Sequence, residues 1–243
     1  MSHKLLESAI IVGDVHYDKN HREFLTLLDD ILSSKIVTSQ LILLGDIFDL
    51  LFGEVEVTHV ENMEAIKRLF LISKTVEVIY FEGNHDFNLD MIFKDSSIKT
   101  ISIQNQPMLF TCNKKRVYLS HGDNNSDLQY TIFTTILRSH LVMSLLALIN
   151  KKFNNIVINK LNEHLSKKVQ CKEFVNFKEH IEKRALHVKL EPCDYIVEGH
   201  YHQNRSFKFN NFEYINIGAF ACNQRYFVVQ SSNRETFLKE ECV

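Results

Sequence analysis

Five places in this 243-residue chain set nitrogen- and oxygen-bearing side chains beside a glycine at the end of an apolar run. Asp14 and His16 follow AIIVG, Asp46 and Asp49 follow LILLG, and Asn84, His85 and Asp86 follow VEVIYFEG; His121 and Asp123 flank Gly122 after VYLS, and His200 and His202 follow CDYIVEG. No thiolate is among them, and carboxylate, amide and imidazole together suit first-row ions such as manganese, iron or zinc better than calcium or magnesium. In an extended segment residues two apart point to the same side, so Asp14 with His16, and His200 with His202, could each present two groups to one location. Two divalent ions bring four positive charges, whereas Asp14 and Asp46 supply two negative ones. The surplus would stabilise hydroxide together with a phosphate oxygen, as two-metal hydrolysis of phosphate esters requires. A lone D-x-H or H-x-H is weak evidence, because such residues often cap helices or occupy solvated turns. Five such sites after five runs are not independent accidents. The remaining histidines, His3, His21, His59, His140, His164, His180 and His187, are read as surface or core residues.

The elements that must position these groups follow from the apolar runs. Short aliphatic runs bounded by a turn residue read as buried strands. Amphipathic patterns at roughly 21–34 and 59–73 separate the first three, giving a β-α-β-α-β order that delivers polar groups to the carboxyl ends of strands in one sheet. From 124 to 190 the pattern is helical without a strand signal, and short strands return at 195–197, 206–209, 212–217 and 225–230. The expectation is a single α/β domain over 1–243 with a helical insert at 124–190. Leu128, Ile132, Phe133, Ile136, Leu137, Leu141 and Leu145 recur at helical spacing and predict one buried face. Residues 141–149, LVMSLLALI, are apolar nearly all round, so that helix packs on two sides or faces something greasy.

Charge and cysteine usage narrow the function classes. The net charge is -2, which excludes a whole-molecule basic field. The insert carries eleven basic against five acidic residues, leaving seventeen against twenty-five in the body, whose excess of acid argues against a phosphate-tracking nuclease groove. Lys151, Lys152, Lys160, Lys167 and Lys168 would attract a diphosphate or an anionic membrane surface, or form a solvated face. Cys112, Cys171, Cys193, Cys222 and Cys242 form no CxxC pair, which argues for a reducing compartment and against disulfides or cysteine-ligated zinc. The N-terminus reaches Gly13 and Asp14 too early for a signal-peptide core, and 132–149 is interrupted by Arg138 and His140, short of the ~20 clean residues of a span. A cytoplasmic protein is expected.

Taken together, GD-x-H, GD-x-x-D, GN-H-D, H-GD and GH-x-H resemble the complete signature of the calcineurin-like metallophosphoesterases. The resemblance implies two mixed β-sheets packed face to face and flanked by helices. It implies that Asp14, His16 and His202 hold one metal, that Asn84, His121 and His200 hold the other, and that Asp46 bridges them. The cofactor is then two divalent ions, manganese ahead of iron or zinc. His85 would stabilise charge on phosphate or protonate the leaving oxygen, Asp86 would orient its imidazole, and Asp49 would support the site without binding metal. The run HGD-NNSDLQYTIF, the helical insert, EGHYH and INIGAF are similar to the UDP-2,3-diacylglucosamine pyrophosphatase branch. Members cleave that lipid nucleotide to UMP and 2,3-diacylglucosamine 1-phosphate in lipid A synthesis, beneath a basic and partly apolar helical cap. The branch implies substrate contacts by Asn84, His85, Asp127 and Tyr130, with peripheral contact to the cytoplasmic face of the inner membrane. His85 departs from it, since its members carry Arg there; His is a competent acid where Arg only neutralises charge. SD-x-x-Y replaces DD-x-x-Y, and Thr134 stands where an Arg follows the Phe. Alternatives are a nucleotidase, a phosphoprotein phosphatase, a nuclease, or a scaffold that has lost catalysis.

Overall fold

The computed structural model describes residues 3–123, 128–167, 171–187, 190–232 and 236–243, and of 128–131 and 185–187 the backbone alone. The first half of the chain runs β1 (His3–Lys4), β2 (Ile10–Val12), α1 (Phe24–Leu32), β3 (Gln40–Leu44), β4 (Leu51–Phe52), α2 (Glu56–Glu61), α3 (Met63–Ile72), β5 (Glu77–Phe81), β6 (Asp86–Phe87), α4 (Asp90–Phe93), β7 (Lys99–Ile101), β8 (Met108–Cys112) and β9 (Lys115–Ser120). Four helices follow: α5 (Leu128–Leu137), α6 (His140–Lys152), α7 (Ile156–Leu165) and α8 (Phe177–His187). The chain ends with β10 (Tyr195–Glu198), β11 (Arg205–Lys208), β12 (Glu213–Asn216), α9 (Phe220–Asn223), β13 (Arg225–Val229) and β14 (Leu238–Cys242).

The strands form two mixed six-stranded sheets, ordered β14-β13-β2-β3-β5-β7 and β1-β8-β9-β10-β12-β11, with a small β4-β6 pair beside them. As the β-α-β-α-β order predicts, β2, β3 and β5 lie parallel in one sheet, and the two remaining motif-bearing strands, β9 and β10, lie parallel in the other. Local patterning could not reveal the latter pairing, because β9 and β10 are hydrogen-bonded neighbours with the whole helical insert between them in sequence.

Strand alternation explains the packing. Leu41, Leu43, Val78 and Tyr80 point to α1 and α3, where they meet Phe24, Leu27, Leu28, Ile66 and Leu69. Ile42, Leu44, Ile79 and Phe81 point the other way and meet Phe110, Val117, Leu119 and Val197 of the second sheet. Both faces of these strands are buried, hence runs with no polar interruption. On the outer face of the second sheet, Phe177 and Ile181 of α8 cover Tyr214, Ile196 and Phe207.

The insert meets the body where Met143 and Ile158 pack on Leu50, Phe52, Val55 and Phe87. Elsewhere it corrects the sequence reading. Ile132, Phe133, Ile136, Leu141 and Leu145 are exposed, Leu141 by 78%, instead of forming a buried face. Periodicity marks an apolar stripe but not whether another element covers it. Leu148, Ile149, Phe153 and Ile156 extend this exposed surface. No described helix is long and apolar enough to cross a membrane, although α6 and α7, bent by 101°, pass that test as a pair. Cysteine usage is corrected too: Cys171 and Cys222 are disulfide-bonded across 51 residues, their Cα atoms 5.7 Å apart, while Cys112, Cys193 and Cys242 are free thiols. A bridge so distant in sequence leaves no spacing signature.

Candidate metal centre

Each motif sits where its strand ends and the backbone turns sharply. Asp14, His16, Asp46, His200 and His202 all have φ between 49° and 65°, the left-handed region that non-glycine residues seldom occupy and that costs on the order of 1–3 kcal/mol apiece. The surrounding hydrogen bonds hold them there. Asp14 N–H donates to Gly45 O and His16 N–H to Asp46 O, both at 3.0 Å, so the ends of β2 and β3 are laced together. Two glycines make room for the approach. A Cβ on Gly45, whose φ is +79°, would lie 2.5 Å from His121 Nδ1, and one on Gly199 would lie 2.6 Å from Asp14 Oδ2.

The side chains converge. Ligand atoms of Asp14, His16 and His202 lie within 4.8 Å of one another, as do those of Asp46, His121 and His200; His16, Asp46 and His85 form a third such group that joins the other two. Asn84 Oδ1 is 3.3 Å from His121 Nε2. All seven residues proposed as ligands from sequence, Asp14, His16, Asp46, Asn84, His121, His200 and His202, thus meet at the junction of the two sheets.

The imidazoles are held by one ring nitrogen, leaving the other for the site. His121 Nδ1–H donates to Leu44 O at 3.0 Å, His85 Nδ1–H to Asp49 O at 2.8 Å, and His16 Nδ1–H to the Asp49 carboxylate at 3.0 Å. This selects the tautomer whose Nε2 carries a lone pair. His16 Nε2 is buried yet has no hydrogen-bond partner among the described residues. A buried, partnerless nitrogen aimed among carboxylates fits a cation, and the nitrogen and oxygen donor set suits a divalent first-row ion.

Electrostatics agree. Burial opposes ionisation of Asp14 and Asp46, but neighbouring histidines, His202 for the first and His121 for the second, hold both carboxylates below their ordinary range. Burial likewise opposes charge on His121, and the Asp46 carboxylate overrides it, raising that imidazole well above its usual value. Burial and the charge on His121 push His200 down to about 4. In the metal-free protein a proton on His121 thus stands in for part of the positive charge that cations would bring.

Asp86 is gripped by donors from two loops. Its Oδ1 accepts from Asp46 and Gly83 N–H, and its Oδ2 from Ile47 N–H, Phe48 N–H and the Tyr80 hydroxyl at 2.6 Å. Those five bonds occupy its lone pairs and tie together the loops after β3 and β5, whereas the His85 ring takes its orientation from Asp49 O. Asp127 lies outside the described residues, as does the side chain of Tyr130. Arg138, read from sequence only as an interruption of an apolar run, is buried with its guanidinium 2.8 Å from Asp123.

The calcineurin-like phosphoesterase family model matches residues 8–204, spanning every motif strand and the insert. The chain belongs to the calcineurin-like phosphoesterase family. It is 25% identical over 205 residues to the UDP-2,3-diacylglucosamine hydrolase of Wigglesworthia glossinidia brevipalpis, covering 80% of this chain and 79% of that one. It is 23% identical over 218 residues to the enzyme of the same name from Neisseria meningitidis serogroup C, covering 88% and 90%. A solved archaeal phosphodiesterase superposes over 97% of this chain and 99% of that one with a TM-score of 0.48 at 11% identity. This member of the calcineurin-like family is a metal-dependent phosphohydrolase, with candidate ligand groups for divalent ions at the junction of its sheets.

Proposed function

We propose that this phosphoesterase hydrolyses UDP-2,3-diacylglucosamine to UMP and 2,3-diacylglucosamine 1-phosphate, with 124–190 acting as a cap over the metal centre. The observation that carries the reading is a seven-ligand cluster in a chain whose insert leaves an apolar, lysine-flanked surface uncovered. Both named relatives are hydrolases of that lipid nucleotide, and they match over most of their length.

Asp14, His16 and His202 would hold one ion, Asn84, His121 and His200 the other, and Asp46 would lie between. Manganese is the ion proposed. When bound, such ions supply Lewis acidity toward phosphoryl oxygens and lower the pKa of water. Water would add to phosphorus and release a proton to solvent, the anhydride P–O bond would break, and the leaving oxygen would take a proton. His85, in its imidazolium form, is the donor proposed for that proton: with Nδ1–H held by Asp49 O, Nε2–H would be left to face a bound substrate. Asp49 holds His16 in the ligating tautomer. Asn84 and His85 would contact the diphosphate, and Asp127 and Tyr130 the remainder of the substrate. The exposed apolar faces of α5 and α6, with Lys151 and Lys152 in the last turn of α6, suit acyl chains and the anionic cytoplasmic face of an inner membrane.

Incubation of the purified protein and Mn2+ with UDP-2,3-diacylglucosamine, with p-nitrophenyl phosphate esters in parallel, tests the assignment. UMP release is expected. Turnover of the simple esters with no UMP would retire the lipid substrate and favour another phosphoesterase activity, for which His85 in place of Arg is the residue to pursue.

A further inference from the structure

Arg138 follows the first helix of the insert, its N–H still bonded to Thr134 O at 2.9 Å, and its side chain runs inward and is buried, which is rare for a cation among the described residues. Its Nη2 donates to the Asp123 carboxylate at 2.8 Å and to Gly83 O at 3.0 Å, and its guanidinium lies 5.5 Å from the centre of the Phe87 ring. Gly83 precedes Asn84, and Asp123 follows His121 by two residues, so one guanidinium grips the loop after β5 and the loop after β9 at once. Asn84 Oδ1 and His121 Nε2 are the atoms those loops bring within 3.3 Å. The backbone of Arg138 is pinned as well: its carbonyl accepts from Asn88 Nδ2 at 3.0 Å, and His140, two residues on, bonds Glu54 at 2.6 Å.

We propose that Arg138 is a positioning residue by which the helical insert holds Asn84 and His121 in place for one of the two ions. Neither Asp14, His16 nor His202 is on a loop that Arg138 bonds, so the effect is confined to the ion held by Asn84, His121 and His200. A cation so close to the centre would repel divalent ions were it not neutralised, and Asp123 neutralises it. The inference rests on the two-ion reading above but not on the identity of the substrate.

Calorimetric titration of the metal-free, full-length protein with Mn2+ alone tests it. The wild type should bind two ions. Arg138→Met, which keeps an apolar stem against Phe87, should weaken one site roughly 10- to 100-fold and leave the other unchanged, the range expected for groups that orient metal ligands. Arg138→Lys, with charge but no fork, should fall between. Combining Arg138→Met with Asn84→Ala should cost less than the sum of the two, since both act on one ion. Arg138→Met with Asp123→Asn removes both charges together with the clamp, and the weakening should persist. Unchanged affinity at both sites, equal weakening at both, or recovery in that charge-free pair would overturn the proposal. Should Arg138→Met fail to fold, Arg138→Lys decides by the same criteria. A wild type that binds fewer than two ions overturns the two-ion reading and this inference with it, whereas two ions bound without effect from Arg138 leave that reading standing.

Discussion

His85 and His121 are both buried imidazoles, yet their surroundings differ. His121 is enclosed by Asp46, Asn84 and Leu44 O and is positioned to ligate, so its proton must leave before a cation enters. Because Asp46 raises the affinity of His121 for that proton, Mn2+ binding should release protons and strengthen as pH rises through the range where His121 deprotonates. Calorimetry in two buffers of different ionisation enthalpy checks this, and a binding constant insensitive to pH would contradict it. His85 lies beside the cluster with Nδ1 committed to Asp49 O, and its ring is 4.9 Å from that of His16. His85→Ala should keep its metal and lose roughly 10²- to 10⁴-fold in turnover, the usual worth of a positioned acid. Turnover equal to wild type would remove His85 from the mechanism. Asp86 bears on stability: Asp86→Ala strips hydrogen-bond partners from two loops and should cost about 3 kcal/mol in chemical denaturation.

Among the elements, β10 and α8 are coupled through charge inside the protein. Glu198, at the end of β10, is buried and receives both Arg184 amino groups, the Ser120 hydroxyl and the Tyr214 hydroxyl. Burial opposes its charge, and Arg184 with these donors overcomes the opposition, leaving the carboxyl below its ordinary 4.5. A carboxylate depressed in the folded state contributes stability that is complete above the unfolded value and is lost as pH falls through the folded one. Glu198→Gln strands Arg184 and should cost roughly 3–5 kcal/mol at pH 7. Below about pH 4 the difference should shrink, since wild-type Glu198 then begins to take up a proton in the unfolded chain and loses its advantage. Denaturant titrations of both proteins at the two pH values read this directly; a gap that widens on acidification would disprove the sign.

The whole molecule separates its charge and its apolar surface by region. An acidic body carries a basic insert, and on that insert Ile132, Phe133, Ile136, Leu141, Leu145 and Leu148 face outward. If the substrate is the lipid nucleotide proposed above, such a surface should bind anionic vesicles, more weakly as salt screens the lysines. Leu141→Ser with Leu145→Ser should lower co-sedimentation with such vesicles about tenfold or more, while shifting stability by no more than ~0.5 kcal/mol because neither side chain is packed. Equal vesicle binding by the variant would exclude this face from the contact.

The candidate centre was legible along the chain because its parts are local: an apolar run that ends beside a glycine and a potential ligand, repeated five times. The strands were equally legible, since a short uninterrupted aliphatic run closed by a turn residue marks a buried strand without reference to its partner. What the tertiary structure alone decided is everything that depends on which distant segments touch. The pairing of β9 with β10 across the insert, the bonds from Asp86 to backbone amides near Asp46, the Cys171–Cys222 bridge and the reach of Arg138 to Gly83 all join residues far apart in sequence. The apolar stripe of α5 and α6 makes the same point in reverse. Its spacing was visible, but whether it is buried depends on neighbours that helical periodicity does not encode, and the fold leaves it open to solvent.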